Sequence, residues 1–431
     1  MKYYSTKGSA KEATYQEAIF KGLPEDNGLY MPKTIPQLPS SFFEKLVGMG
    51  LPEIGFEIMK YFVDGEIPDA KLNEIISETL NFNIPLVEVS PSIYSLELFH
   101  GPTFAFKDVG ARFLARNLSY FSEQTDQKLT VLVATSGDTG SAVAQGFYEV
   151  PNIEVVILYP SGKISRFQEQ QMTTLGKNIT ALEIDGTFDD CQKLVKQSFL
   201  DVELNKRINL TSANSINIAR MLPQSIYYFY ALAQLPKNKI NNVIVSVPSG
   251  NYGNITAGLI AQKMGLPIQH FLACSNMNDT VPAYLKTSEY NAKPSVQTIS
   301  NAMDVGNPSN FVRILDLFSG SHQKMSTAIT GYSFSDIETR AAIKNIYRET
   351  NYVLDPHGAV GFLGLQDYLK DHDGTGIFLE TAHPYKFKES VEPEIGKELS
   401  PVLSFENKES KSISFANDFG TLKSYLLDKN L

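Results

Sequence analysis

Apolar positions along the chain fall into two regimes that meet near Pro85. Before that point, Phe42 to Val47 and Ile54 to Val63 carry apolar residues at helical spacing,. Gly22-Leu23-Pro24 and Ile35-Pro36-Gln37-Leu38-Pro39 interrupt the helical runs as loops,. The pattern predicts a helical N-terminal region over 1–95 that packs against the rest.

From about Leu96, short β-branched runs alternate with helical segments. Thr130 to Ala134, Val155 to Tyr159, Val243 to Val247 and Ile377 to Leu379 are apolar without alternation, as strands covered on both faces are,. Helices are predicted at Ser141 to Tyr148, Asp189 to Phe199 and Ile255 to Met264,. The expected fold class is α/β, with two open, mostly parallel sheets flanked by helices and a cofactor cleft between them. One α/β domain is expected over 96–235 and the second over 236–431, the latter with the C-terminal tail.

A chain of 431 residues that is 42% hydrophobic has enough apolar material for such cores,. The net charge of −9 is spread along the chain and argues against nucleic acid or an anionic membrane as partner,. Two cysteines, Cys191 and Cys274, and six histidines match no metal-ligand spacing,. The opening residues lack a signal-peptide core and no apolar run spans a bilayer, so a soluble, cytoplasmic protein is expected,.

Open parallel sheets bind ligands beyond the carboxyl ends of their strands. After Val247 comes Pro248-Ser249-Gly250-Asn251-Tyr252-Gly253-Asn254 and then a helix. Glycines permit close backbone approach, and free N–H groups at a helix start favour an anion such as phosphate. After Ala134 comes Thr135-Ser136-Gly137-Asp138-Thr139-Gly140, where hydroxyls can donate to a carboxylate. Taken alone, each turn is equally an ordinary capped helix start.

Lys107 follows Phe104-Ala105-Phe106 inside a run of turn formers, Gly101-Pro102-Thr103. A lone lysine ordinarily keeps its ammonium in water. A desolvated one has a depressed pKa and presents the free amine that imine formation needs. An amine of this kind together with a separate phosphate cup suits pyridoxal 5′-phosphate.

These strings, with Asn214-Ser215-Ile216-Asn217-Ile218-Ala219-Arg220, Ser300 to Val305 and Thr381-Ala382-His383-Pro384, resemble the signature segments of the threonine synthase family over essentially the whole chain. The resemblance implies the fold type of tryptophan synthase β chains. It also implies a lyase of threonine biosynthesis that converts O-phospho-L-homoserine and water to L-threonine and phosphate. Under it Lys107 carries the cofactor as a Schiff base and serves as acid–base group. Gly250, Asn251, Tyr252, Gly253 and Asn254 hold the cofactor phosphate, Thr381 its ring nitrogen, and Asp138 stands near its 3′ oxygen. Ser136 and Thr139 receive the substrate carboxylate. Three positions depart from the family pattern: Lys7, where arginine is usual; Tyr252, where phenylalanine is common; and Asn254, where some relatives have aspartate.

The substrate phosphate needs its own positive site. Asn217 and Arg220 stand at helical spacing, and arginine offers planar, paired donors,. Lys163 and the Ser5–Lys7 opening are further candidates. His357 and His383 are cleft or packing residues. A dehydratase of the same fold would share Lys107 and the cup without an anion site for a γ-phosphate. A non-catalytic binder of phosphorylated metabolites is the remaining alternative. Oligomeric state, monomer or homodimer, is left open.

Overall fold

The computed structural model describes residues 1–125, 128–403, 405 and 408–429. Its strands, in chain order, are β1 (Tyr3–Ser5), β2 (Tyr30–Pro32), β3 (Leu86–Ser90), β4 (Ile93–Glu97), β5 (Leu129–Ala134), β6 (Ile153–Pro160), β7 (Ile179–Ile184), β8 (Leu210–Ser212), β9 (Val243–Pro248), β10 (Ile268–Ser275), β11 (Ile329–Ser333), β12 (Thr375–Glu380) and β13 (Ile413–Phe415). β1 and β2 form a small antiparallel ribbon. The others make a six-stranded sheet, β11-β10-β9-β12-β4-β3, and a five-stranded sheet, β13-β7-β6-β5-β8. Every pairing in these two sheets is parallel except β3 with β4.

The four continuous apolar runs are strands, each slightly longer than its apolar segment. All residues of β5, β9 and β12 are buried, because helices cover both faces of each sheet,. The N-terminal region is helical as its spacing predicts, with helices Tyr15–Lys21, Ser40–Leu46, Leu51–Val63 and Asp69–Thr79. Its longest helix buries Ile54, Ile58, Met59 and Phe62 in a core continuous with both sheets.

The change of sheet between β8 and β9 brackets the boundary expected at 235, but the one expected at 95 cuts a strand and residues 236–431 do not stay in one sheet. β4 carries residues on both sides of the first boundary and pairs with β12, so the strand hairpin before Lys107 belongs to the six-stranded sheet. Near the other end, β13 pairs with β7, and the helix Phe419–Lys429 buries Leu422 and Leu426 in the core cluster of the five-stranded sheet and its covering helices. The chain therefore crosses between the two sheets three times: after β4, after β8 and before β13. Among the described residues no helix is long and apolar enough to cross a membrane.

Candidate active site

The carboxyl ends of β5, β9 and β12 open onto one cavity. The loop after β4 brings Phe106 and Lys107 to the same place. Backbone pairing fixes that loop: the Phe106 N–H donates to the Thr381 carbonyl at 2.9 Å and the His383 N–H to the Phe104 carbonyl at 3.0 Å. Phe104 holds φ at +59°, which turns the chain so that the helix Lys107–Thr125 can begin,.

Lys107 keeps some accessible surface and is otherwise enclosed by protein. Burial lowers its pKa to about 8; the Asp138 carboxylate opposes this shift, and the positive charges of Lys386 and Arg220 add to it,. A free amine near neutral pH is the state imine chemistry requires.

The turn after β5 is organised by Thr135, whose Oγ1 accepts the N–H groups of Gly137 and Gly140 at 2.9 and 2.8 Å. Gly137 has φ of +132°, and a Cβ there would stand 2.5 Å from the Gln168 amide carbon. The turn leaves Ser136 and Thr139 half-buried at the cavity with Asp138 buried beside them. Burial alone would push the Asp138 carboxyl up; the ammonium groups of Lys386 and Lys107 outweigh it and hold the carboxyl well below its usual range.

The turn after β9 presents Gly250, Asn251, Tyr252, Gly253 and Asn254, all lining the cavity. Tyr252 lies in the left-handed region at φ +62° and starts the helix Gly253–Lys263. The first N–H groups of that helix have no acceptor within it. A Cβ on Gly250 would meet the Met303 Cα at 2.7 Å and the Ala302 carbonyl oxygen at 2.9 Å, so only glycine fits. Asn251 accepts from the N–H and hydroxyl of Ser309 at 3.0 and 2.9 Å. Asn254 accepts from the Tyr228 hydroxyl at 2.7 Å, while its own amide nitrogen is buried without a partner. Thr381, at the end of β12, also faces the cavity.

Of the two residues expected to grip the substrate phosphate, only Arg220 lines the cavity. It is 2% exposed, donates Nη1–H to the Ala213 carbonyl, and has an Nε–H without a partner. Burial lowers its pKa, to about 10. Asn217 is fully buried outside the cavity. Its amide donates to the Ile19 and Ser212 carbonyls, both at 3.0 Å, and accepts the Ala219 N–H at the start of the helix Ile218–Met221. Helical spacing misled here because Asn217 is the cap of that helix rather than a member of its face.

Asn214 and Ser215 take its place beside Arg220. Their short polar side chains directly after a strand were the signal available in the sequence. Lys163 is exposed and away from the cavity. Lys7 lines an adjoining chamber that shares Ala134, Asn214, Ser215 and Asn251 with the inner one. His357 does line the cavity; its Nδ1 lies 2.6 Å from Asp355 Oδ1 and its Nε2 accepts the Ala302 N–H at 3.2 Å. His383 instead caps the turn Pro384–Phe387. Both cysteines are buried and unpaired.

The geometry offers an amine, two anion-accepting strand ends and a buried arginine in one enclosure. Comparison with known proteins agrees with it. A family model described as "Pyridoxal-phosphate dependent enzyme" matches residues 81–377, and "Threonine synthase N terminus" matches residues 2–80. The threonine synthase of Haemophilus influenzae is 48% identical, covering 99% of this chain and 100% of its own length. The chain belongs to the threonine synthase family.

The crystal structure of the Escherichia coli threonine synthase superposes with a TM-score of 0.93 at 41% identity, covering 100% of both chains. A threonine synthase from Brucella melitensis with pyridoxal phosphate bound has a TM-score of 0.91 at 33% identity, covering 100% of this chain and 99% of its own. The cofactor of the family is thus pyridoxal phosphate, and this chain's residues fit it. The orphaned Asn254 amide, the Gly250 cradle and the helix start beside it can hold a phosphate, while Lys107 stands across the same cavity.

Proposed function

We propose that this chain converts O-phospho-L-homoserine and water to L-threonine and phosphate in the cytoplasm, with Lys107 as the amine that carries the cofactor and shuttles protons. The observation that favours this over a dehydratase of the same fold is Arg220. A reaction with no phosphorylated substrate has no use for a buried guanidinium lining the cavity, its Nε–H without a partner,. A non-catalytic binder, in turn, has no use for an amine desolvated until its pKa reaches about 8,.

Gly250 to Asn254 would hold the cofactor phosphate, and the Thr381 hydroxyl its ring nitrogen. When bound, the cofactor supplies an electron sink for the bonding pair left at the substrate Cα. Lys107 Nζ takes the Cα proton; loss of a Cβ proton then supplies the pair that expels phosphate from Cγ. The terminal carbon takes a proton, water adds at Cβ, and Lys107 Nζ returns a proton to Cα. Ser136 and Thr139 donate to the substrate carboxylate, which fixes the Cα–H bond relative to Nζ,. Arg220, with Asn214 and Ser215, grips the phosphate that leaves Cγ and balances its charge as the C–O bond breaks,. Asp138 stays ionised, held by the ammonium of Lys386.

Incubating the holo-protein with O-phosphohomoserine tests the reading. Threonine and phosphate should form in equal amounts. Phosphate without threonine, or turnover of serine or threonine alone, would contradict it.

A further inference from the structure

We propose that Lys386 is a positioning residue for Lys107, acting through the carboxylate of Asp138. Lys386 sits in the turn Pro384–Phe387 after β12, with none of its side chain exposed, and does not line the cavity. Its ammonium lies 2.7 Å from Asp138 Oδ1 and donates to the Thr103 carbonyl at 2.9 Å. It therefore ties together the turn after β5 and the loop that carries Lys107. Thr103 is fixed in turn by Asp108, which accepts its N–H at 2.9 Å and its hydroxyl at 2.5 Å. Gln168 donates to the same oxygen at 2.9 Å, so Asp138 Oδ1 is held by two donors.

A buried ion pair is a weak source of stability, since desolvation of both charges offsets their attraction. Its effect on the neighbouring amine is larger. The ionisable groups facing Lys107 are Asp138, Lys386 and Arg220. Lys386 also faces Asp108 and His383, and Asp138 also faces His357. Left alone, the Asp138 carboxylate would hold a proton on Lys107 and keep it an ammonium. Lys386 cancels that field at close range, so the carboxylate does not trap a proton on Lys107. The same pairing keeps Asp138 from taking up a proton itself.

The inference rests on Lys107 being the site amine, and its test separates the two ideas. Apo-protein is treated with pyridoxal, which lacks the phosphate, and cyanoborohydride between pH 5 and 10. The labelled Lys107 peptide is then quantified by mass. In Lys386→Met the midpoint for labelling should rise by about one pH unit. Lys386→Gln keeps hydrogen-bond donors for Asp138 and Thr103 without the charge and should show the same rise, which covers a Met variant that fails to fold. Lys386→Arg should restore the wild-type midpoint. Asp138→Asn should lower it, and the double variant Lys386→Gln/Asp138→Asn should return toward wild type. An unmoved midpoint in folded Lys386→Gln, or a double variant that stays at the raised Lys386→Gln midpoint, overturns the proposal. A label on a different lysine would instead remove Lys107 from the proposed function.

Discussion

The turn after β5 and the turn after β9 start from similar material, a serine and glycines between a buried strand and a helix, and they do different work. The β5 turn places a carboxylate, Asp138, at its centre and closes it with Lys386 and Gln168. The β9 turn carries no charge. Its donors are backbone N–H groups and an Asn254 amide nitrogen with no partner. In the first turn the charged group is already paired; in the second the Asn254 amide nitrogen is left without a partner. Shape alone does not separate a phosphate cup from a capped helix start. What separates them is whether the polar groups are already paired.

The largest effect should come from filling the open turn. Gly250→Ala places a methyl 2.7 Å from the Met303 Cα, a backbone atom that cannot rotate away. Cofactor affinity should fall at least about tenfold, near 1.4 kcal/mol, measured by absorbance titration of apo-protein. Unchanged affinity would mean that the cup is not the phosphate site.

A smaller effect is expected at the other turn. Ser136→Ala removes one donor at the cavity. It should raise KM for O-phosphohomoserine by about two- to tenfold while leaving cofactor affinity unchanged, as the loss of a single hydrogen bond predicts. A fall in cofactor affinity instead would dissolve the division of labour between the turns.

A third expectation is a pH dependence of stability in apo-protein. Lys107 has a folded pKa of about 8 against 10.5 for an ordinary lysine. Below the folded value both states are protonated, and the fold bears the full cost of the buried charge. Between about 8 and 10.5 the unfolded state binds more protons, so stability rises with pH,. Denaturant melts should show this rise in wild type and lack it in Lys107→Met; equal pH profiles would contradict the desolvated amine.

Much of this was legible in the sequence because it is local. Val243 to Val247 and Thr130 to Ala134 are apolar on both faces, and a parallel sheet between helices is what buries both,. The turns follow those strands directly. The resemblance on Lys107 and the flanking motifs then pointed to the chemistry. What escaped depends on contacts between distant segments. Nothing near Ile413 to Phe415 says that it pairs with β7 rather than with the nearer sheet. Nothing near Lys386 says that it reaches Asp138. Asn217 was misassigned for a local reason: as a helix cap its amide turns back to the backbone, and Asn214 and Ser215 face the cavity instead.

The claim beneath the comparison is that both turns serve one amine, Lys107. Borohydride reduction of the holo-protein, followed by digestion and mass analysis of every lysine peptide, addresses it directly. The account predicts the reduced pyridoxyl-phosphate adduct on Lys107 and no adduct after Lys107→Ala. An adduct on another lysine, or one that persists in Lys107→Ala, would contradict it.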